Sequence, residues 1–211
     1  SGTDTQDIGL PVLIERTSTR ALVDLLRIKL GFPPEVFVHA AYPVIEGYAG
    51  FVQLLPAPES RHHARPGGRF SYGLEVALRA LDHRRGQILP RGAAPEVIGA
   101  HAHRWTYAVF VAALLYGTGN TATGLRILTR VRGRDLRPWE PLAGSMLAEG
   151  ASSYRVEIVE GDAVRDDRHR ALSGRLFEEC VPEPVRAWLA EDATLMPELL
   201  RWLSVDGSGP H

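Results

Sequence analysis

His62 and His63 stand side by side between Arg61 and Arg65, in a polar, glycine-containing stretch from Glu59 to Gly68. Imidazole nitrogens ligate divalent cations, and guanidinium groups suit phosphate oxygens. The pair is a candidate metal ligand or phosphate contact; the same residue types also fit an exposed polar loop. A second group is arginine alone. Arg126, Arg130, Arg132, Arg134 and Arg137 fall within twelve residues, opposed only by Asp135. A strand over 129–134 would put Arg130, Arg132 and Arg134 on one face, because strand side chains alternate. Such a comb could follow a phosphate backbone. A solvated basic loop is the plainer alternative. Only Trp139 lies near, so base stacking is not indicated.

The remaining chemistry-bearing residues are weaker candidates. Gly67-Gly68 opens a helix whose free amides could bind an anion, or the pair simply makes a turn. His101 and His103 are two apart, a poor metal pair on a helix, and read as surface or helix-end polarity. His169 sits in a charged helix start, and His39 and His83 have no partner in the sequence. Ser71, Ser145 and Cys180 lack a GxSxG-type nucleophile setting.

The periodicity places these groups on helices. Leu22, Leu25, Leu26 and Leu30 mark a helix capped by Thr17 or Ser18 and ending at Gly31. Pro34 starts a second, running to Leu55 and kinked or split near Pro43. Leu74, Leu78 and Leu81 mark a third, ending near Gly86. Pro95-Glu96 starts a fourth, wholly apolar between Val109 and Leu115 and therefore central. Residues 117–138 read as a loop with a short ribbon, and Tyr154, Val156 and Ile158 alternate as a strand. Helices over 166–179, 184–191 and 193–203 close the chain. The expected fold class is mainly α, a helical bundle with a minor β-strand or hairpin element.

Composition agrees with one globular domain. The chain has 211 residues, 45% of them hydrophobic, and a net charge of −1. No apolar run is long enough to span a membrane, and no signal segment opens the chain. One cysteine, Cys180, excludes an internal disulfide and suits a reducing, cytoplasmic setting. Residues 1–139 carry 17 basic and 11 acidic side chains, and residues 140–211 carry 7 and 14. Lys29 is the only lysine, so the cationic chemistry is guanidinium chemistry; a genome rich in arginine codons would give the same bias.

Longer motifs carry a family resemblance. Leu54-Leu55-Pro56-Ala57 precedes HHARPGGRFSYGLEVAL at residues 62–78, and RWTYAVFVAALLYGTGN follows at 104–120. These resemble the HD-type domain of MobH-class, TraI-like conjugative relaxases, in which the runs are LPAS-E-x-x-HH-x-x-PGG-L-x-x-H-x-LEVA and RW-x-x-AVF-x-AALLHD-x-GK. Trp139–Ser145 and Trp188-Leu189-Ala190 look familial too, so the resemblance covers roughly residues 20–205. It implies an HD-domain-like bundle over 17–205; residues 1–16 are expected to form an N-terminal extension and 206–211 a flexible tail.

The resemblance also implies that metal ligands are missing. Tyr72 stands at the family histidine, Tyr116-Gly117 at the His-Asp pair and Asn120 at the lysine. Glycine offers no ligand and tyrosine is neutral, its pKa being about 10. Only His62 and His63 of the motif remain, and an open metal site generally needs three protein ligands. The two phenols are expected to fill the vacated pocket. The implied function is a catalytically degenerate domain with a binding or scaffolding role in conjugative DNA transfer or mobile-element biology. Its partners would be DNA and other conjugation proteins, without cofactor or membrane. Two alternatives stay open. One is a metal-dependent phosphohydrolase or nuclease with a divalent ion near His62 and His63. The other is a protein-interaction module presenting Trp188, Leu195, Leu199 and Trp202.

Overall fold

The computed structural model describes residues 8–84, 95–122, 125–158 and 167–204, with side chains at 96–100, 120–122, 158 and 167–170 left outside the description. Helices α1 (Leu10–Thr17), α2 (Arg20–Leu30), α3 (Pro34–Val36) and α4 (Tyr42–Val52) lead into α5 (Gly68–Arg84) and α6 (Pro95–Tyr116). Strands β1 (Leu125–Val131), β2 (Arg137–Pro138) and β3 (Ala151–Ile158) follow, and α7 (Asp167–Cys180), α8 (Glu183–Ala190) and α9 (Leu195–Ser204) close the order. The fold is mainly helical with a small antiparallel sheet of order β2-β1-β3.

Helix α6 is the axis because its sequence leaves no polar face. Trp105 and every residue from Tyr107 to Leu115 are buried. An all-apolar helix lowers its free energy only when wrapped, at about 1.5–3 kcal/mol per large side chain removed from water. Helix α5 packs along one side of α6 and α9 along another, while α7 bridges α4 and α9.

The kink expected near Pro43 is a π-helical turn over Phe37–Ala41. Proline has no N–H to offer the carbonyl four residues back, so the ladder widens and the Tyr42 amide reaches the Phe37 carbonyl. The neighbouring Ala40 carbonyl accepts from the buried Tyr107 hydroxyl at 2.7 Å. Burial pushes the Tyr107 hydroxyl well above its ordinary pKa, so it stays a donor.

Three expectations change here. Residues 10–16, expected within an N-terminal extension, form α1 and place Leu10, Leu13 and Ile14 in the core. Ser18 does not cap α2: it ends α1 in the left-handed conformation, with its amide on the Glu15 carbonyl. The strand expected over 129–134 stops at Val131, where a turn around Gly133 (φ 80°) brings the Arg134 amide to the Val131 carbonyl. The tail over 206–211 lies outside the described residues.

Candidate functional site

The stretch from Leu54 to Arg69 is a loop closed on itself. The Leu54 and Leu55 carbonyls accept from the Gly67 and Arg69 amides, each at 2.9 Å, and the Ala57 amide donates to the His63 carbonyl at 2.8 Å. Gly68 allows the closure, since a Cβ there would lie 1.8 Å from the His63 carbonyl oxygen. The Tyr48 hydroxyl donates to the Arg69 carbonyl at 2.7 Å and ties the loop to α4. The sheet grips it as well, through the Leu54 amide donating to the Tyr154 hydroxyl at 2.9 Å. The Gly67, Gly68 and Arg69 amides are thus donated to the Leu54, Arg65 and Leu55 carbonyls, so these amides are not free for an anion.

The closed loop sets out the side chains. His62 is exposed. His63, by contrast, is 8% exposed and not a loose loop residue. Its Nδ1 lies 2.7 Å from Ser60 Oγ and its Nε2 lies 3.0 Å from Glu75 Oε2. A carboxylate only accepts, so Nε2 donates to Glu75. Both imidazole nitrogens lie within hydrogen-bond distance of protein side chains. The Tyr72 ring packs against this imidazole at a centroid distance of 5.0 Å.

Gly117, at the end of α6, meets the loop through Arg69. A Cβ at 117 would lie 2.9 Å from Arg69 Nη1. The Arg69 side chain is 1% exposed and forks onto Glu59, with Nη1 to Oε1 at 2.5 Å and Nη2 to Oε2 at 2.7 Å. Its Nε makes no hydrogen bond among the described residues. The side chain against Gly117 is therefore a guanidinium and not a phenol. Tyr116 and Tyr72 are only partly buried. The motif comparison contained the signal for this: Arg69 stands where the family run has leucine, directly after PGG. The Asn120 side chain lies outside the described residues.

These residues do not fit a divalent ion. Among the described residues no group of three or more His, Cys, Asp or Glu is placed to hold a metal. A dication about 4 Å from the guanidinium would meet a repulsion on the order of 8 kcal/mol at an effective dielectric of about 20, before the opposing charge of Glu59 is counted.

The arginines gather differently from the expected comb. Arg126 pairs in register with Glu157 and Arg130 with Ser153, so Arg126 and Arg130 share the outer face of the central strand β1. Arg126 is largely exposed, with Nη1 4.0 Å from Glu157 Oε2. Arg132 and Arg134 sit exposed in the turn beside Gly133, and Arg137 is exposed on the edge strand β2. The nearby aromatics point inward. Trp139 packs on Phe51 at 5.1 Å and donates to the Gly144 carbonyl, and Tyr154 is 1% exposed.

Other candidates resolve into structure. His101 is partly buried beside Arg104 and Asp192, His103 packs against Phe32, and His39 and His83 are exposed. The His169 side chain lies outside the described residues. Cys180 is buried and its thiol is pushed up to about 12, so it is no thiolate nucleophile. Leu195, Leu199 and Trp202 face the core, and Trp188 is partly buried under the Arg104 guanidinium. They do not form the apolar outer surface of the interaction-module alternative.

Compared with known protein families, residues 10–209 match the family model TraI_2, described as a putative helicase. The chain belongs to the TraI_2 family. Membership places it in the context of conjugal transfer. No curated protein matches it. The one lysine, Lys29, follows Ile28 and pairs with Asp82. Among the described residues no helix is long and apolar enough to cross a membrane.

Proposed function

We propose that this TraI_2 chain is a catalytically degenerate, HD-like domain that binds DNA in conjugative transfer and holds it without metal-assisted cleavage. One observation carries the reading. The guanidinium of Arg69 lies against Gly117, the position at which the resemblance expects the metal-binding aspartate. The replacement is chemically coherent. A side chain has been lost at 117, a cation has entered beside it, and Glu59 neutralises that cation. His63 is taken up on both ring nitrogens. The scaffold of the site remains as a rigid loop tied to both α4 and the sheet.

DNA binding is supported by the exposed arginines of the β1–β2 hairpin and by the family's transfer context. The test is fluorescence anisotropy with labelled DNA, run beside a cleavage assay, each with manganese and with EDTA. Binding unchanged by EDTA, with no cleavage in manganese, is the expected result. Cleavage that appears with metal, disappears with EDTA and is abolished by His62→Ala with His63→Ala would establish the phosphohydrolase alternative instead.

A further inference from the structure

The β1–β2 hairpin has a chemistry that selects between forms of nucleic acid. Its exposed cations are Arg126 on the strand, Arg132 and Arg134 at the tip, and Arg137 on the edge. Residues 125–140 hold five arginines against Asp135 and Glu140. A bound single strand draws much of its affinity from bases stacked on aromatic rings, about 1–3 kcal/mol per base. This hairpin offers no such platform, because Trp139 and Tyr154 are both turned into the core and engaged there. What it does offer is a narrow ribbon tip bearing guanidinium forks. Such a tip matches the phosphate walls of a duplex, whose major groove, about 12 Å wide, admits a two-stranded ribbon. Guanidinium forks suit phosphate oxygens in pairs.

We infer that the arginine-bearing hairpin is a docking surface for double-stranded DNA, gripping the backbone without reading bases. The inference rests on the DNA-binding reading above and narrows it to one form and one face. It also fits the fixed geometry of the ribbon. The β1–β3 ladder and the Leu54–Tyr154 bond hold β1 against the body, so the tip stands on a rigid support.

The experiment measures anisotropy with a duplex and with each of its single strands, over a range of salt. The proteins compared are the native chain, a variant with Arg126, Arg132, Arg134 and Arg137 all changed to Ala, and a control, Arg201→Ala, on α9. The four sites are exposed, and circular dichroism of the variant is compared with that of the native chain to check that it folds. The expected result is tighter binding of the duplex, with a salt slope that becomes shallower by about 0.9 for each phosphate contact removed in the quadruple variant and is unchanged in the control. Equal or tighter binding of single strands overturns the inference while leaving DNA binding in place. Duplex binding with an unaltered slope in the variant overturns the assignment to this face. Absence of binding to either form removes the DNA-binding reading as well.

Discussion

At Arg69 and Glu59, two side chains share a fork that is sealed at one end and open at the other. Arg69 is 1% exposed, whereas the Glu59 side chain is 34% exposed. Removing Glu59 alone would leave a cation buried without its counter-charge. Breaking a fully buried pair costs about 3–5 kcal/mol, and partial solvation of Glu59 lowers the expectation for Glu59→Gln to about 2 kcal/mol. Arg69→Leu introduces the residue of the family run and removes the charge altogether. Urea denaturation of both single variants and the double variant closes a cycle. The double variant should recover most of the loss seen with Glu59→Gln; simple additivity would mean that the pair is not coupled. The same residue shows the limit of reading by type. Tyr72, Tyr116 and Gly117 were legible as departures from the family runs. The Arg69 cation beside Gly117 was not singled out, because a lone arginine in an arginine-rich chain reads as surface.

Asp192, in the turn between α8 and α9, gathers α6, α8 and α9 at one point. It accepts from Trp105 Nε1 at 3.0 Å and from the Thr194 amide and hydroxyl at 2.9 and 2.7 Å. Burial pushes its carboxyl up, but the Thr194 and Trp105 hydrogen bonds and the nearby His101 together pull it further down, below the ordinary value of 3.8. A depressed carboxyl stabilises the fold above the pKa of the unfolded chain, and that stability is lost as pH falls through the folded pKa. Urea midpoints of the native chain should therefore drop as the pH is taken below about 3.9. In Asp192→Asn that part of the acid slope should flatten. An identical acid slope in the variant would show that other carboxylates account for it.

At the same scale, the long helices were legible from their periodicity. Helix α6 was expected from its unbroken apolar run and α5 from its leucines, and both are present. The arginine comb was misplaced because alternation alone does not locate the end of a strand. Gly133 turns the chain after Val131 and parts Arg132 and Arg134 from the ladder. The apolar residues of α9 were offered as an outer surface, but helical spacing is silent about which face a neighbour covers, and α6 covers this one.

In the whole molecule, the conserved-looking motif runs serve geometry first. LPAP and PGG fold the loop onto the start of α5 through backbone bonds of Leu55, Ala57, Gly67 and Gly68. That explains how a family resemblance was legible over roughly residues 20–205, within the matched span 10–209, while the site's contents were not. Backbone closure depends on glycine and proline positions that a sequence displays. Occupancy of the pocket depends on where one flexible side chain goes. In the proposed function, a tethered guanidinium stands where a metal would be bound. The most direct test of this is the metal content of the purified chain, equilibrated with manganese, iron, nickel or zinc, freed of excess by gel filtration and analysed by mass spectrometry. The expected result is far less than one ion per chain for each metal, and no change when His62 and His63 are both replaced by alanine. A stoichiometric ion that is lost on replacing those two histidines would contradict it.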